Sequence, residues 1–370
     1  GGYGVSTEHT AYLNLAAGIS APQSGSIALN GAALAEQVGG QIFSDIWGLV
    51  SPNSPEQAAA YAARAASVSH DGNGIYGGMF IAALVSQAFS EADPRRLIEA
   101  GLALIPSASE YTRVVRAVLD FHRDQPGDWH AAYRFLAEHF GYDRYPGLVH
   151  IIPNAGIVAM ALLYGEGDFS HTIQIANMAG WDTDCNVGNV AAIMGVAVGL
   201  EGIPMRWRDP MNDVLVAASV IGTRNFLDIS ACAELFSALG RQIAREPAAS
   251  SKPRYHFSYA GATQGWLHRG QRGRIMALRQ VSHGDGGALQ ATVRELNKKG
   301  EVRLFVKTYY RPDELSANYY GASFSPKLYP GQTVHARVLL PADAATSLRA
   351  AIYVRDGNRG EEYQGVGQPL

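Results

Sequence analysis

Cysteine is nearly missing from this sequence: Cys185 and Cys232 are the two among 370 residues. Two thiols so placed make neither a disulfide framework nor a zinc motif, and they leave the redox compartment open. Long apolar runs are lacking too. The stretch from Val187 to Leu200 falls short of the ~20 residues that a membrane-spanning helix needs, so no membrane span is expected. No signal peptide is visible. Residue 1 is Gly rather than Met, and the natural start is expected upstream. No recognisable nucleic-acid-binding motif occurs, so nucleic acid is not an expected partner. Nothing in the chain speaks to an oligomeric state.

What is present is ordinary globular composition, 47% hydrophobic and 17% charged, in a chain long enough for two or three domains and a large core. The net charge of −3 hides an asymmetry. From Lys252 onward 17 Lys/Arg face 9 Asp/Glu, a balance of +8, and residues 1–251 carry −11. Opposite balances suggest two modules. The basic half reads either as a solvated surface or as a polyanion-binding face.

The period of the hydrophobic pattern divides the chain in the same place. Up to residue 245, helix signals follow one another at short intervals. A helix is expected from Thr10 to Gly18, and Ser54-Pro55-Glu56-Gln57 starts another that runs to about Ser69, with Ser at the cap and Pro at the first helical position. After the break at His70-Asp71-Gly72-Asn73-Gly74 a helix spans about 75–90. Further starts fall at Asp93-Pro94, Ser107 to Glu110, Asp128, Asn154, Asp168 and Asp228, each with a capping side chain. Helix after helix with short connections predicts an all-α orthogonal bundle. Residues 246–254 have linker composition. Beyond them Val302, Leu304, Val306 and Thr308 alternate with Arg303, Phe305, Lys307 and Tyr309, and Val334, Ala336, Val338 and Leu340 alternate likewise with His335 and Arg337, which is strand periodicity. The expected architecture is multi-domain: an all-α bundle over 1–245, then a β-sandwich over 255–370.

One stretch carries chemistry. Gly180-Trp181-Asp182-Thr183-Asp184-Cys185-Asn186 precedes an apolar, small-residue helix. One acceptor caps a helix start, so two carboxylates one residue apart exceed that need. Close carboxylates repel unless a cation or shared proton compensates, and oxygen donors suit a hard ion such as Mg²⁺. The plainer alternative is an acidic helix start that complements the macrodipole.

This stretch resembles the C-terminal signature of the ADP-ribosylglycohydrolase family, usually Gly-Gly-Asp-Thr-Asp-Thr/Cys-Asn, and the resemblance extends over most of residues 1–245. It implies that Asp182 and Asp184 bind a pair of Mg²⁺ ions, with Thr183 and Cys185 as neighbouring ligands. A thiol is a poor Mg²⁺ ligand, which puts the Cys185 contact in doubt. It implies His70 as a catalytic residue beside the ribose, and Asn73, Asn154 and Asn186 as substrate-binding residues. Plainer readings stand beside these: His70 as a helix C-cap and Asn154 as an N-cap. Thr7-Glu8-His9-Thr10 invites a metal reading, but the family's first metal motif is Thr-Asp-Asp-Thr. That motif, and with it the family's catalytic acidic residue, is expected upstream of residue 1.

The β half resembles a jelly-roll carbohydrate-binding module through Phe257 to Trp266, Gly286 to Leu289 and Leu328 to Gly331, although sandwiches share such patterns without shared function. Trp266, Tyr309, Tyr310, Tyr319, Tyr320 and Tyr329 are candidates to stack on sugars or to pack the core. A further strand is expected beyond Leu370. The implied function is a Mg-dependent glycohydrolase acting at the anomeric carbon of an ADP-ribosyl, ribosyl or related glycoside, with a sugar-binding module that favours a secreted or cell-surface setting. The alternative is a non-catalytic glycan- or nucleotide-binding protein with a degenerate hydrolase domain.

Overall fold

The computed structural model describes all residues except 1–3, 218, 220–221, 251, 272–273, 285, 296–299, 316–324, 341–348, 366–367 and 370. It divides into two compact units, one of residues 1–208 and 233–251 and the other of residues 209–232 and 252–370.

The first unit is helical. Short helices come first: α1 (Thr7–Ala16), α2 (Ile27–Asn30), α3 (Ala32–Ala35), α4 (Gly39–Ile42) and α5 (Asp45–Leu49). Longer ones follow: α6 (Pro55–Ala66), α7 (Asn73–Gln87), α8 (Pro94–Leu102), α9 (Glu110–Asp124), α10 (Trp129–Phe140), α11 (Ile151–Tyr164), α12 (Phe169–Met178) and α13 (Thr183–Gly202). After α14 (Met205–Arg208), α15 spans Ile229–Ile243.

The unit is built around α11. Every residue of that helix is buried, because it is apolar on all sides and a helix of that kind is stable only inside a core. It packs against α7, α8, α9, α10, α12 and α13. Residues such as Ile157 and Leu162 are fully enclosed, and each such side chain contributes about 1.5–3 kcal/mol. Close approach depends on small residues at particular crossings. A Cβ added to Gly40 of α4 would lie 2.1 Å from the Gly74 carbonyl of α7.

Caps explain several boundaries and correct others. Asp93, Asp128 and Asp168 each accept from a backbone N–H one or two residues inside their helix, and Asp228 caps α15 through Ala231. Ser109, not Ser107, caps α9 by accepting from Thr112 N–H. Ser54 stands at the N-cap of α6, but its side chain makes no cap bond. Asn154 does not begin α11: His150 is the N-cap, and Asn154 lies inside the first turn. Expected helix ends shift as well, since α1 begins at Thr7 and α6 stops at Ala66.

The helix after the aspartates also exceeds its expected length. It runs 20 residues, with a non-helical Gly199 at φ 68°. By length and composition it is long and apolar enough to cross a membrane, yet it carries Asp184 and packs against α4, α5, α7, α11 and α12.

In the second unit, strands pair antiparallel two by two. β1 (Val214–Val216) pairs with β2 (Phe226–Asp228). β3 (Leu267–Gln271) pairs with β6 (Glu301–Phe305), and β4 (Arg274–His283) with β5 (Gly286–Arg294). β7 (Arg349–Ala350) pairs with β10 (Gln368–Pro369), and β8 (Tyr353–Arg355) with β9 (Glu362–Gln364). Among the described residues no sheet exceeds two strands. The alternation at 334–340 forms no strand. Val334, Val338 and Leu339 are exposed there, so a period of two without a pairing partner does not suffice. Trp266 packs edge-on against Tyr255, and Tyr310 against Phe226. Tyr309 and Tyr329 are exposed, and Tyr319 and Tyr320 lie outside the described residues.

Candidate functional site

The turn between α12 and α13 is shaped by two left-handed residues. Gly180 has φ 78°, which glycine adopts freely. Asp182 has φ 41° and ψ 60°, a region that a non-glycine residue occupies at a cost of roughly 1–2 kcal/mol. Asp182 occupies the N-cap of α13, yet its side chain makes no capping bond. A cap hydrogen bond therefore does not account for Asp182, although its charge still lies at the start of α13. Its Oδ2 is buried without any hydrogen-bond partner.

Asp184 is exposed one residue into the helix, with half-buried Thr183 between the two acids. Cys185 follows. Carboxylate oxygens of Asp182 and Asp184 and the Cys185 sulfur lie within 4.8 Å of one another, the spacing of groups that converge on one ion. Burial raises the Asp182 pKa, and the Asp184 charge adds to the shift against the opposing Cys185 hydrogen bond. Burial, with the Asp182 carboxylate beside it, also pushes the Cys185 thiol well above its usual range. The sulfur thus stays protonated next to the carboxylates.

Behind this turn stands an amide brace. Asn186 is fully buried; its Nδ2 donates to Asn154 Oδ1 at 2.8 Å and to Trp181 O at 2.5 Å. Its Oδ1 is buried without a partner. Asn154, also fully buried, donates to His150 O at 2.8 Å and to the Tyr142 hydroxyl at 2.9 Å. Burial raises the Tyr142 phenol to about 12, so it remains a neutral donor. The Trp181 ring packs between Tyr133 and Tyr142, at centroid distances of 5.3 and 5.4 Å. Asn154 and Asn186 are therefore brought together, 32 residues apart in sequence.

His70 and Asn73 belong to a second group of contacts. His70 is 1% exposed. Its Nδ1 lies 2.8 Å from Ser69 Oγ, and its Nε2 has no hydrogen-bond partner and faces Glu8 Oε1 at 3.7 Å. Burial pushes the imidazole down to about 4, against the opposing pull of Glu8. His70 follows α6 and is no mere cap of it. Asn73 opens α7 with both ends engaged: Nδ2 donates to Glu36 Oε1 at 2.8 Å, and Oδ1 accepts from Tyr111 N–H at 3.0 Å.

Sequence reasoning missed a buried polar chain one turn further along α13. Tyr111 OH donates to Gln41 Oε1, Gln41 Nε2 to Asn189 Oδ1, and Asn189 Nδ2 to Asp45 Oδ1, at 2.9, 3.2 and 2.9 Å. It ties α9, α4, α13 and α5 together. Burial raises the Asp45 carboxyl to about 7. The available signal was spacing, since Asn189 follows Cys185 and Asn186 at i+4 and i+3, on one side of the helix.

In comparison with known proteins, the family model described as ADP-ribosylglycohydrolase matches residues 1–244. No curated protein matches the chain.

Proposed function

The chain belongs to the ADP-ribosylglycohydrolase family, and from that premise we propose that it is a Mg²⁺-dependent glycohydrolase that cleaves at the anomeric carbon of an ADP-ribosyl, ribosyl or related glycoside. One observation carries the metal part of the reading. Asp182 holds a strained backbone, forgoes the cap bond its position offers, and buries a carboxylate oxygen with no partner beside a second acid. Such a group is costly unless something positive meets it. The donor set fits a hard divalent cation through Asp182 and Asp184. The Cys185 sulfur does not suit Mg²⁺ and serves better as a hydrogen-bond neighbour of Asp182.

Bound Mg²⁺ would orient the ribose hydroxyls and an attacking water. The protein's own part is to hold that geometry. Asn186 and Asn154 pin the start of α13 to α11, so the two carboxylates stay where the helix places them. The free Oδ1 of Asn186 offers an acceptor to a ribose hydroxyl, and the Trp181 ring between Tyr133 and Tyr142 offers a flat apolar wall. For the second unit we propose carbohydrate binding through exposed Tyr309 and Tyr329, consistent with a secreted or cell-surface setting.

Calorimetric titration of the full chain with Mg²⁺ tests the metal role, and a hydrolysis screen of nucleotide and furanoside substrates with and without Mg²⁺ tests the activity. The expected result is Mg²⁺ binding that Asp182→Asn abolishes, and Mg²⁺-dependent cleavage. Binding unchanged by the substitution would defeat the metal site. Ligand binding without cleavage would favour the alternative, a glycan- or nucleotide-binding protein.

A further inference from the structure

We infer that the second unit holds an acidic sugar, a uronate residue, in a cleft over the β3–β6 pair, which rests on the carbohydrate reading of that unit and names the class of sugar. The cleft has a volume of about 440 Å³ and is lined by Arg269, Gly270, Glu301, Arg303 and Glu362, a size within the range of small-molecule sites. β3 supplies Arg269 and Gly270, β6 supplies Glu301 and Arg303, and β9 supplies Glu362. Gly270 lines it with backbone alone.

The charges set what the cleft takes. Arg269 and Arg303 stand directly opposite each other in the antiparallel β3–β6 register. Like charges so placed destabilise a strand pair, and each calls for a counter-charge. Arg303 has two. Its Nε donates to Glu301 Oε1, and its Nη1 donates to both carboxylate oxygens of Glu362 at 2.8 Å. Its guanidinium also lies over the Tyr353 ring, 4.6 Å from the centroid. Arg303 is thereby a fixed wall of the cleft. Arg269 is exposed and, among the described residues, makes no hydrogen bond or ion pair. The Arg303 hydrogen bond lowers the Glu362 pKa, and the charges of Arg355 and Arg269 add to it. Glu362 is thus shared among three guanidiniums, and Arg269 lines the cleft with its own donors unused.

A flat anion with two oxygens matches the fork of a guanidinium, which is the shape of a carboxylate. A dianion such as phosphate suits the cleft less, because Glu301 and Glu362 stand in it as well and repel each added charge. Those two carboxylates keep lone pairs beyond their Arg303 contacts and accept from hydroxyls. One carboxylate for Arg269, flanked by hydroxyls for Glu301 and Glu362, describes a uronic acid ring.

An array of galacturonate-, glucuronate- and mannuronate-bearing oligosaccharides, with their methyl esters and neutral counterparts, probed with the full chain and followed by calorimetry on the tightest binder, tests this. The expected result is capture of a uronate oligosaccharide, with an affinity that falls as salt is added and falls about 10–100-fold on methyl esterification. Arg269→Gln should weaken binding of the acid by a similar factor, and Arg269→Lys by less, since the ammonium keeps the charge but not the fork. Both variants should melt like the wild type by circular dichroism, because Arg269 bonds to nothing in the fold. Tyr309→Ala and Tyr329→Ala should leave the difference between acid and ester unchanged. Preference for neutral sugars, or acid binding unmoved by Arg269→Gln, would overturn the acidic-sugar site and leave the carbohydrate reading standing. Acetate competing as well as the uronate at equal concentration would reduce the site to a simple anion contact and overturn it too. No saccharide bound by the wild type would overturn the carbohydrate reading and this site together.

Discussion

Replacing Asp182 by Asn should make the protein more stable without Mg²⁺ and less stable with it. The substitution keeps the shape of the side chain and its tolerance of the left-handed backbone, and no cap bond is lost because none exists. It removes one of two carboxylates whose oxygens lie within 4.8 Å. At that separation, with an effective dielectric between 20 and 80, the repulsion is about 1–3 kcal/mol. Against this stands the loss of a negative charge at the start of α13, worth about 0.3–1 kcal/mol. The repulsion wins, for a net gain of roughly 1 kcal/mol. In a helical unit of this size that raises Tm by about 2–4 °C. With Mg²⁺ the order reverses. A ligand at 100 times its Kd stabilises the wild type by about 2.7 kcal/mol, and the variant gains none of it. Thermal melts followed by helical circular dichroism, in EDTA and in millimolar Mg²⁺, supply the comparison. A variant that melts below the wild type in EDTA and gains as much from Mg²⁺ would refute the account of Asp182 as a strained ion ligand.

Two buried groups should give opposing pH dependences. Asp45 is held near 7 in the fold against an ordinary 3.8, so its contribution to stability is present at low pH and is lost as pH rises from about 4 to 7. His70 is held near 4 against 6.5, so its contribution is lost as pH falls from 6.5 to 4. Urea midpoints should therefore vary little across that window in the wild type, rise with pH in Asp45→Asn and fall with pH in His70→Gln; parallel profiles in all three would contradict the assignment. Asn154→Ala removes one of the two acceptors of Asn186 Nδ2 and the amide partner of the Tyr142 hydroxyl and should cost about 1–3 kcal/mol in urea unfolding, with weaker Mg²⁺ binding as the start of α13 loosens. Gly40→Ala forces a methyl against the Gly74 carbonyl and should cost about 1–3 kcal/mol; a neutral effect would show that α4 shifts freely on α7.

Much of the helical half was legible because its signals are local. The Asp residues at 93, 128 and 168 cap helices where the sequence places them, since a cap involves a side chain and backbone groups within three residues. Misreadings came where two residues competed for one boundary. Ser107 and Ser109 both precede Glu110, and packing of Tyr111 and Val114 into the core selected the later one. Asn154 resembled a cap because the amide is polar in an apolar run, but Asn186, a distant residue, is what makes it necessary. The alternation at 334–340 failed for the converse reason: strand periodicity states a preference that only a partner strand can realise.

By itself the sequence determined the helical class of residues 1–208 and the clustering of Asp182, Asp184 and Cys185, because neighbours in one helical turn are neighbours in space; it did not show the β1–β2 hairpin at 214–228, which pairs within the second unit. Tertiary structure decided how those groups are buried and partnered. The orphaned oxygen of Asp182 and the sealed imidazole of His70 exist only once other helices have excluded water from them. Glu8 joins His70 across 62 residues of chain through a packing at Gly39, a contact that no local pattern encodes. Burial and long-range proximity are properties of the assembled core, and no local pattern encodes them.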